Sequence, residues 1–235
     1  MDSVVSNLQR LRARIAETAA ACSRRPQDIT LIAVSKTHAP AAIELALGAG
    51  QRAFGESTTQ EALPKIEALR AQQPEWHFIG HLQSNKAKFI PGNFRWLHAL
   101  DSLALAQRLS RLTESPHTAL NVLIEVNVTR DPAKHGVLAH ALPSLMEQLA
   151  HAALPGILLR GLMTVGPQVD DERLRRAAFE ALRRLRDDVV QRLALPSFTE
   201  LSMGMSNDYV EAIKEGATML RIGSAIFGVR DYSRT

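Results

Sequence analysis

Apolar runs of four to ten residues alternate with amphipathic segments along the whole chain of 235 residues. Eight of these runs have the length and the branched or aromatic content of β-strands. They cover residues 29–35, 52–55, 76–80, 94–100, 119–128, 157–165, 198–203 and 218–223. Each run leads into a segment with helical spacing of its apolar positions, and a further helix is predicted over residues 3–21.

Eight strands that each lead into a helix predict a closed parallel barrel, an α/β fold of the (β/α)8 TIM type. The length of the chain is close to the ~250 residues that are typical of this fold. No proline- or serine-rich linker interrupts the alternation, so residues 1–235 are predicted to form one domain. An open doubly wound sheet is the alternative, but the GxGxxG motif is absent after the first strand.

Capping and breaking residues refine the ends of the helices. Ser102 is predicted to be the N-cap of the helix after the fourth strand, and Gly50 the C′ residue of the helix after the first. A long arginine-rich helix is predicted over residues 171–193. Pro64 lies inside the helix after the second strand, where proline is expected to act as a breaker.

The charge pattern argues against nucleic acid as a partner. The chain has 28 basic and 24 acidic residues, a net charge of +4, and only six of the basic residues are lysine. Most arginines lie among acidic residues on predicted helices, which is typical of solvated faces with i,i+4 pairs. The single cysteine, Cys22, cannot form an internal disulfide, and no histidine spacing predicts a metal site.

The hydropathy pattern also argues against a membrane as a partner. No apolar run approaches the ~18 residues of a membrane span. The N-terminal segment alternates polar and apolar residues, without the uninterrupted apolar core of a signal peptide. We therefore expect a cytoplasmic protein.

Polar residues at the ends of the strands indicate where chemistry takes place, since (β/α)8 barrels carry their sites there. The first strand ends on Lys36, and the last two lead into the segments SMGMSND and RIGS. Hydroxyl groups, glycines and a helix start are features of a phosphate site, and barrels commonly carry one after strands seven and eight. An amine opposite a phosphate site favours Schiff-base chemistry, with pyridoxal phosphate (PLP) or with a phosphorylated sugar. The alternative is a lysine that snorkels into water from the end of its strand.

Several motifs resemble the YggS/PROSC family of pyridoxal phosphate homeostasis proteins, over nearly the whole chain. They are VSKT at 34–37, FGES at 54–57 with QEAL at 60–63, WHFIGHLQSNK at 76–86, RGLMTV at 160–165, and the long block 201–228. The resemblance implies a single barrel similar to the N-terminal domain of bacterial alanine racemase. Two positions depart from the family's pattern: Ser57 replaces the usual asparagine, and His38 replaces a second lysine that many members have.

The resemblance also implies which residues bind the cofactor. PLP would be bound as an imine on Lys36, with Arg221 facing the pyridine nitrogen and Met163 lining the pocket. Four residues would hold the phosphate: Ser202, Gly204, Gly223 and Ser224.

An arginine next to the pyridine nitrogen bears on the type of function. A fixed guanidinium charge disfavours protonation of that nitrogen, so carbanions are stabilised less than beside a carboxylate. Racemisation also needs a second acid or base, and the chain has only two tyrosines, Tyr209 and Tyr232, of which Tyr209 is predicted to pack on a helix. We therefore expect a monomeric PLP carrier in vitamin B6 homeostasis that has no catalytic residues and meets PLP-dependent apoenzymes transiently. The alternatives are a weak PLP-dependent amino-acid racemase or related PLP enzyme, and a Schiff-base aldolase.

Overall fold

The computed structural model describes residues 3–113 and 118–228. Within these ranges, eight parallel strands close into a barrel in the order β4-β3-β2-β1-β9-β8-β7-β5, with β5 paired back to β4. The strands are β1 (Thr30–Val34), β2 (Ala53–Glu56), β3 (Glu75–Phe78), β4 (Trp96–Leu100), β5 (Leu120–Asn127), β6 (Val137–Leu138), β7 (Ile157–Met163), β8 (Glu200–Ser202) and β9 (Met219–Ile222). The short strand β6 only extends the end of β5. The predicted (β/α)8 barrel is confirmed.

The helices form a layer around the barrel. They are α1 (Val4–Ala21), α2 (Pro40–Gly48), α3 (Thr59–Ala68), α4 (Leu103–Leu112), α5 (Leu142–His151), α6 (Glu172–Leu193), α7 (Tyr209–Lys214) and α8 (Ser224–Phe227). A 3-10 helix, Ser84–Phe89, stands between β3 and β4. No helix in the described part of the chain is long and apolar enough to span a bilayer.

Local sequence sets most of the helix ends as predicted. The Ser102 hydroxyl accepts a hydrogen bond from the Leu105 N–H at 3.4 Å, which caps α4. Gly50 has a φ of 77° at the C′ position of α2, and its N–H donates to the Leu47 carbonyl at 2.9 Å. Both bonds satisfy backbone groups that a helix end leaves without partners.

Pro64 does not break α3, contrary to the prediction. The helix runs from Thr59 to Ala68 with the proline inside it. Its N-cap Thr58 accepts a hydrogen bond from the Glu61 N–H. The buried side chain of Lys65, next to the proline, ties the helix to the barrel through two hydrogen bonds, to the Ser35 carbonyl and to Glu56, and makes a third to Glu61 within the helix. These contacts offset the one helical bond that proline cannot make.

The core has two parts. A large apolar cluster lies between the barrel and the helices. A small one fills part of the barrel interior and consists of Ile32, Ala53, Leu123, Met163 and Met219. Much of the remaining interior is polar, with Ser202, His77, His98 and Arg221 all buried. Because buried polar groups need partners, this interior has to be an ordered network.

Ion pairs between side chains join the arginine-rich helix α6 to α7 and to the residue that follows it. Arg175 lies 2.9 Å from Glu211, and Arg176 lies 2.7 Å from Glu215. Lys214 of α7 in turn lies 3.0 Å from Glu172. Glu211 and Glu215 are buried, whereas the Lys214–Glu172 pair is exposed on both sides and contributes little to stability.

Candidate functional site

We call the end of the barrel at which the strands finish the mouth, and the opposite end the floor. Lys36 lies at the mouth, two residues after β1, and is half-buried. The next residue, Thr37, has a φ of 67°, a left-handed conformation that is strained for a β-branched residue. Its N–H donates to the Glu61 carboxylate of α3. The turn that carries Lys36 is therefore held by a neighbouring helix.

A buried ion pair holds the same turn from behind. The Lys65 amine donates to the Ser35 carbonyl at 2.9 Å, to Glu56 at 2.9 Å and to Glu61 at 2.7 Å. The Ser35 hydroxyl also donates to Glu56 at 2.6 Å. Burial raises the pKa of the Glu56 carboxyl, while Ser35 and Lys65 oppose that shift. We call Ser35, Glu56, Glu61 and Lys65 the Lys65 clamp, since it fixes the residues on both sides of Lys36.

The Lys36 turn packs against the loop after β9. A Cβ atom on Gly223 would lie 3.2 Å from the Val34 carbonyl oxygen, so the two backbones approach closely. The His38 ring stacks on Phe227 of α8, with ring centroids 4.8 Å apart. Val34 and His38, which lie two residues before and after Lys36, therefore contact the loop after β9 and helix α8.

The loops after β8 and β9 also meet. The hydroxyls of Ser206 and Ser224 lie 3.0 Å apart, and the Ala225 N–H donates to Ser206 at 3.4 Å. Gly204 has a φ of 94°, and a Cβ atom there would lie 2.6 Å from that of Ala212, so only glycine fits. We call Gly204, Ser206, Gly223 and Ser224 the loop cluster.

Arg221 lies inside the barrel below the loop cluster. It stands opposite Ile32 of β1 in the sheet and is only 5% exposed. Its Nη1 donates to the Ser202 hydroxyl at 2.7 Å, and its Nη2 to the Thr164 carbonyl at 2.9 Å. Burial lowers the pKa of Arg221 to about 10, so the guanidinium remains charged at neutral pH.

Two predicted site residues lie deeper than the loop cluster. The Ser202 hydroxyl is fully buried between Arg221 and the Nδ1 atom of His98, which is 2.9 Å away. The hydroxyl beside Ser224 belongs to Ser206 instead. Met163, opposite Ser202 in the sheet, packs in the apolar cluster of the barrel interior.

Two buried carboxyl groups beside Arg221 were not predicted. Burial raises the pKa of Glu125 to about 7, while the charge of Arg221 opposes the shift. Burial also raises the pKa of Asp208, which accepts a hydrogen bond from the Met205 N–H. The sequence could have indicated Glu125 as a site residue, since it is the one charged residue in the apolar run 119–128.

Two tyrosines and a metal site were also considered from the sequence. Tyr209 packs against the core at the start of α7, and Tyr232 lies outside the described residues. In residues 3–113 and 118–228, no group of three or more histidine, cysteine or acidic side chains could hold a metal ion.

A lysine after the first strand, a loop cluster after the last two and a buried arginine between them define a barrel of the alanine racemase N-terminal type. The family described as "Alanine racemase, N-terminal domain" matches residues 6–231. The pyridoxal phosphate homeostasis protein of Pseudomonas aeruginosa is 44% identical over 99% of this chain and 98% of its own. That of Escherichia coli K12 is 41% identical over 100% of both. The chain belongs to the family of pyridoxal phosphate homeostasis proteins.

Solved structures agree with this assignment. PipY of Synechococcus elongatus PCC7942, in a structure without PLP, is 39% identical with a TM-score of 0.81, over 91% of this chain and 100% of PipY. A second PipY structure has PLP bound and gives 38% identity and a TM-score of 0.79 with the same coverage. Alanine racemase of Corynebacterium glutamicum is 20% identical with a TM-score of 0.65, over 93% of this chain and 61% of the racemase, which shows a shared fold.

Proposed function

We propose that this protein binds PLP at the mouth of the barrel and acts as a carrier in PLP homeostasis. The observation that carries the proposal is the packing of the Lys36 turn on the loop cluster, through Gly223 and the stacked rings of His38 and Phe227. An amine, a set of hydroxyl and backbone N–H donors, and a buried guanidinium thereby belong to one site. PipY, with 38% identity, holds PLP.

The residues fit the groups that PLP presents. PLP supplies an aldehyde that condenses with a primary amine, a phosphate group and a pyridine ring. Lys36 offers the amine, and the loop cluster offers the donors for the phosphate. Arg221 offers an N–H group to the ring nitrogen, and Ser202 acts in the site by holding Arg221. Met163, in the apolar cluster of the barrel interior, would line the pocket.

The fixed charge of Arg221 favours a carrier over an enzyme. A guanidinium that stays charged at neutral pH does not stabilise a proton on the neighbouring ring nitrogen. The electron-withdrawing power of the ring is then low, and Lys36 can bind and release the aldehyde without side reactions of amino acids. A monomeric carrier of this kind would pass PLP to apoenzymes in transient encounters.

Glu125 favours a second candidate, a weak PLP-dependent racemase or related enzyme. A carboxyl group with a pKa of about 7 can both donate and accept a proton at neutral pH. The two functions differ in whether the loaded protein exchanges the α-protons of added amino acids with solvent deuterium. Catalytic exchange that is lost in Glu125→Gln would establish the enzyme, whereas a carrier gives no exchange above free PLP.

The binding site is tested with Lys36→Ala, and Lys88→Ala is the matched control because Lys88 is exposed. After addition of PLP and reduction with borohydride, intact mass and peptide mapping are measured. We expect one PLP per chain on Lys36, its loss in Lys36→Ala, and full labelling in Lys88→Ala. A wild-type protein that takes up no PLP, or that carries it on another lysine, would contradict the proposal.

A further inference from the structure

A chain of hydrogen bonds, which we call the relay, runs through the barrel interior from Arg221 to Glu75 at the floor. Arg221 Nη1 lies 2.7 Å from Ser202 Oγ, which lies 2.9 Å from His98 Nδ1. His98 Nε2 lies 3.0 Å from His77 Nδ1, and His77 Nε2 lies 3.1 Å from a Glu75 carboxylate oxygen. His77, His98 and Ser202 have no exposed surface. Glu75 alone reaches solvent, where it lines two cavities of about 430 and 470 Å³ at the floor.

The chemistry of the two ends determines the direction of every bond in this chain. An ionised carboxylate only accepts, so His77 carries its proton on Nε2 and accepts at Nδ1. His98 must then donate from Nε2 and accept at Nδ1 from the Ser202 hydroxyl. The Ser202 oxygen accepts from Arg221, which only donates. Each N–H or O–H therefore points from Arg221 towards Glu75.

The protonation states suit this arrangement. Burial lowers the pKa of His77, and burial together with the charges of His77 and Arg221 lowers the pKa of His98 well below its ordinary value. The bond from His77 lowers the pKa of Glu75. Two neutral imidazoles thus stand between a fixed cation and an ionised carboxylate.

Other charges lie at both ends of this chain, and the floor cavities that Glu75 lines are also lined by Arg12, Arg52, Arg95, Arg160 and Glu200. Arg95 lies near Glu75 at the floor, and the carboxyl groups of Glu125 and Asp208 lie near Arg221. The Trp96 ring is nearly parallel to the His77 ring, with centroids 5.7 Å apart, and covers it. In such a buried interior, hydrogen bonds that all run in one direction polarise one another.

We propose that Glu75, His77 and His98 are positioning residues that hold the Arg221 guanidinium and transmit the negative charge of Glu75 to it. The inference rests on the proposed function, in which PLP lies against Arg221. A carboxylate at the floor of the barrel would then tune the electrostatic field on a ligand at the mouth. Without Glu75, Arg221 would act on that ligand as a more positive group.

The first test uses the protein without PLP and measures the imidazole nitrogen shifts of ¹⁵N-labelled histidines by NMR. We expect both His77 and His98 to be neutral and protonated on Nε2 between pH 7 and 8, because burial lowers the pKa of both rings below the ordinary value of about 6.5. In Glu75→Gln we expect the signals of both rings to move. In the control Glu200→Gln, which removes a different carboxylate at the floor, they stay in place. A ring protonated on Nδ1, or charged in this range, would overturn the relay.

The second test uses the PLP-loaded protein and follows its visible absorbance during a pH titration. Loss of a negative charge disfavours the protonated form of the bound cofactor, so the midpoint in Glu75→Gln is expected to fall by about 0.5 pH unit. Glu200→Gln keeps the wild-type midpoint. Equal midpoints in all three proteins, with PLP bound, would overturn the relay while the proposed function stands. A wild-type protein that binds no PLP would overturn the proposed function, and the NMR test would then decide the relay alone.

Discussion

The position of Lys36 depends on hydrogen bonds made by its two neighbours along the chain. The Lys65 clamp bonds the carbonyl of Ser35 on one side of it, and Glu61 bonds the N–H of Thr37 on the other. Two backbone groups around Lys36 are therefore fixed by charged side chains, one by the buried Lys65 and the other by the partly exposed Glu61. Such pre-organisation reduces the entropy that binding would otherwise cost.

Lys65→Met tests the clamp. Removal of one partner from a buried ion pair leaves the other charge without compensation, so we expect a loss of about 3 kcal/mol in the free energy of unfolding at pH 8. The pKa of Glu56 is already raised, and a protonated Glu56 needs no cation. The loss should therefore shrink as the pH falls towards 5. Chemical denaturation at the two pH values measures both effects.

Two further variants make this measurement specific. Lys88→Met changes an exposed lysine and is expected to leave the stability nearly unchanged. The double variant Lys65→Met/Glu56→Gln is expected to recover part of the loss, since no buried charge remains. If Lys65→Met were as stable as the wild type, the clamp would contribute nothing.

His38 has a clear structural contact. Its ring stacks on Phe227 and joins the Lys36 turn to α8. A lysine at this position, as many family members have, would not stack in the same way. The contact thus links a departure from the family pattern to the packing of the mouth.

At the scale of elements, the end of one helix shows how local sequence acts. Helix α6 begins at Glu172, and the Asp171 carboxylate accepts hydrogen bonds from the N–H groups of Arg173 at 2.8 Å and Leu174 at 3.2 Å. These bonds satisfy two of the backbone donors that a helix start leaves without partners. Because α6 forms ion pairs with α7, the N-cap of α6 also supports α7, the helix that follows the loop after β8.

Asp171→Ala is expected to lower the free energy of unfolding by about 1 kcal/mol, the usual value for an N-cap. The neighbouring Asp170 is fully exposed and lies 4.0 Å from Arg175, so Asp170→Ala should change little. Both variants lose one negative charge, so the difference between their stabilities, measured by thermal or chemical denaturation, is the contribution of the N-cap hydrogen bonds. Equal losses would mean that charge, and not capping, is the cause.

At the scale of the whole molecule, the polar barrel interior makes stability depend on pH. Buried His77 and His98 have lowered pKa values, so below about pH 6.5 the unfolded chain binds more protons and acid destabilises the fold. Glu125 acts in the opposite sense. Its pKa is about 7 in the fold against 4.5 for a free side chain, so its burial costs stability at higher pH and costs none in acid.

Glu125→Gln tests this balance. We expect the variant to be more stable than the wild type at pH 8, by on the order of 1–3 kcal/mol, because no carboxylate has to be buried. The gain should be much smaller at pH 5, where Glu125 is protonated in the fold, and should vanish below about pH 4.5, where it is protonated in the unfolded chain as well. Denaturation curves at the two pH values measure it, with the exposed Glu147→Gln as control. A gain that did not change with pH would contradict the assignment.

The order of elements and much of the mouth could be predicted because they follow from local pattern. Alternating strands and helices imply the barrel, and a barrel assembles the residues that follow its strands. Lys36, Gly204, Gly223 and Ser224 were predicted in this way. The contacts of Ser202 could not be predicted from the sequence. Its hydroxyl lies below the loop cluster, next to His98, and the hydroxyl beside Ser224 is that of Ser206.

The sequence by itself determined the (β/α)8 barrel, its helix caps, and a lysine and loop cluster at its mouth, because each depends on neighbours along the chain. Only the tertiary structure decided what lies inside. The relay from Arg221 to Glu75 joins β9, β8, β4 and β3, and Glu125 comes to Arg221 from β5. Those contacts depend on strand register and on closure of the sheet, which bring together side chains more than a hundred residues apart.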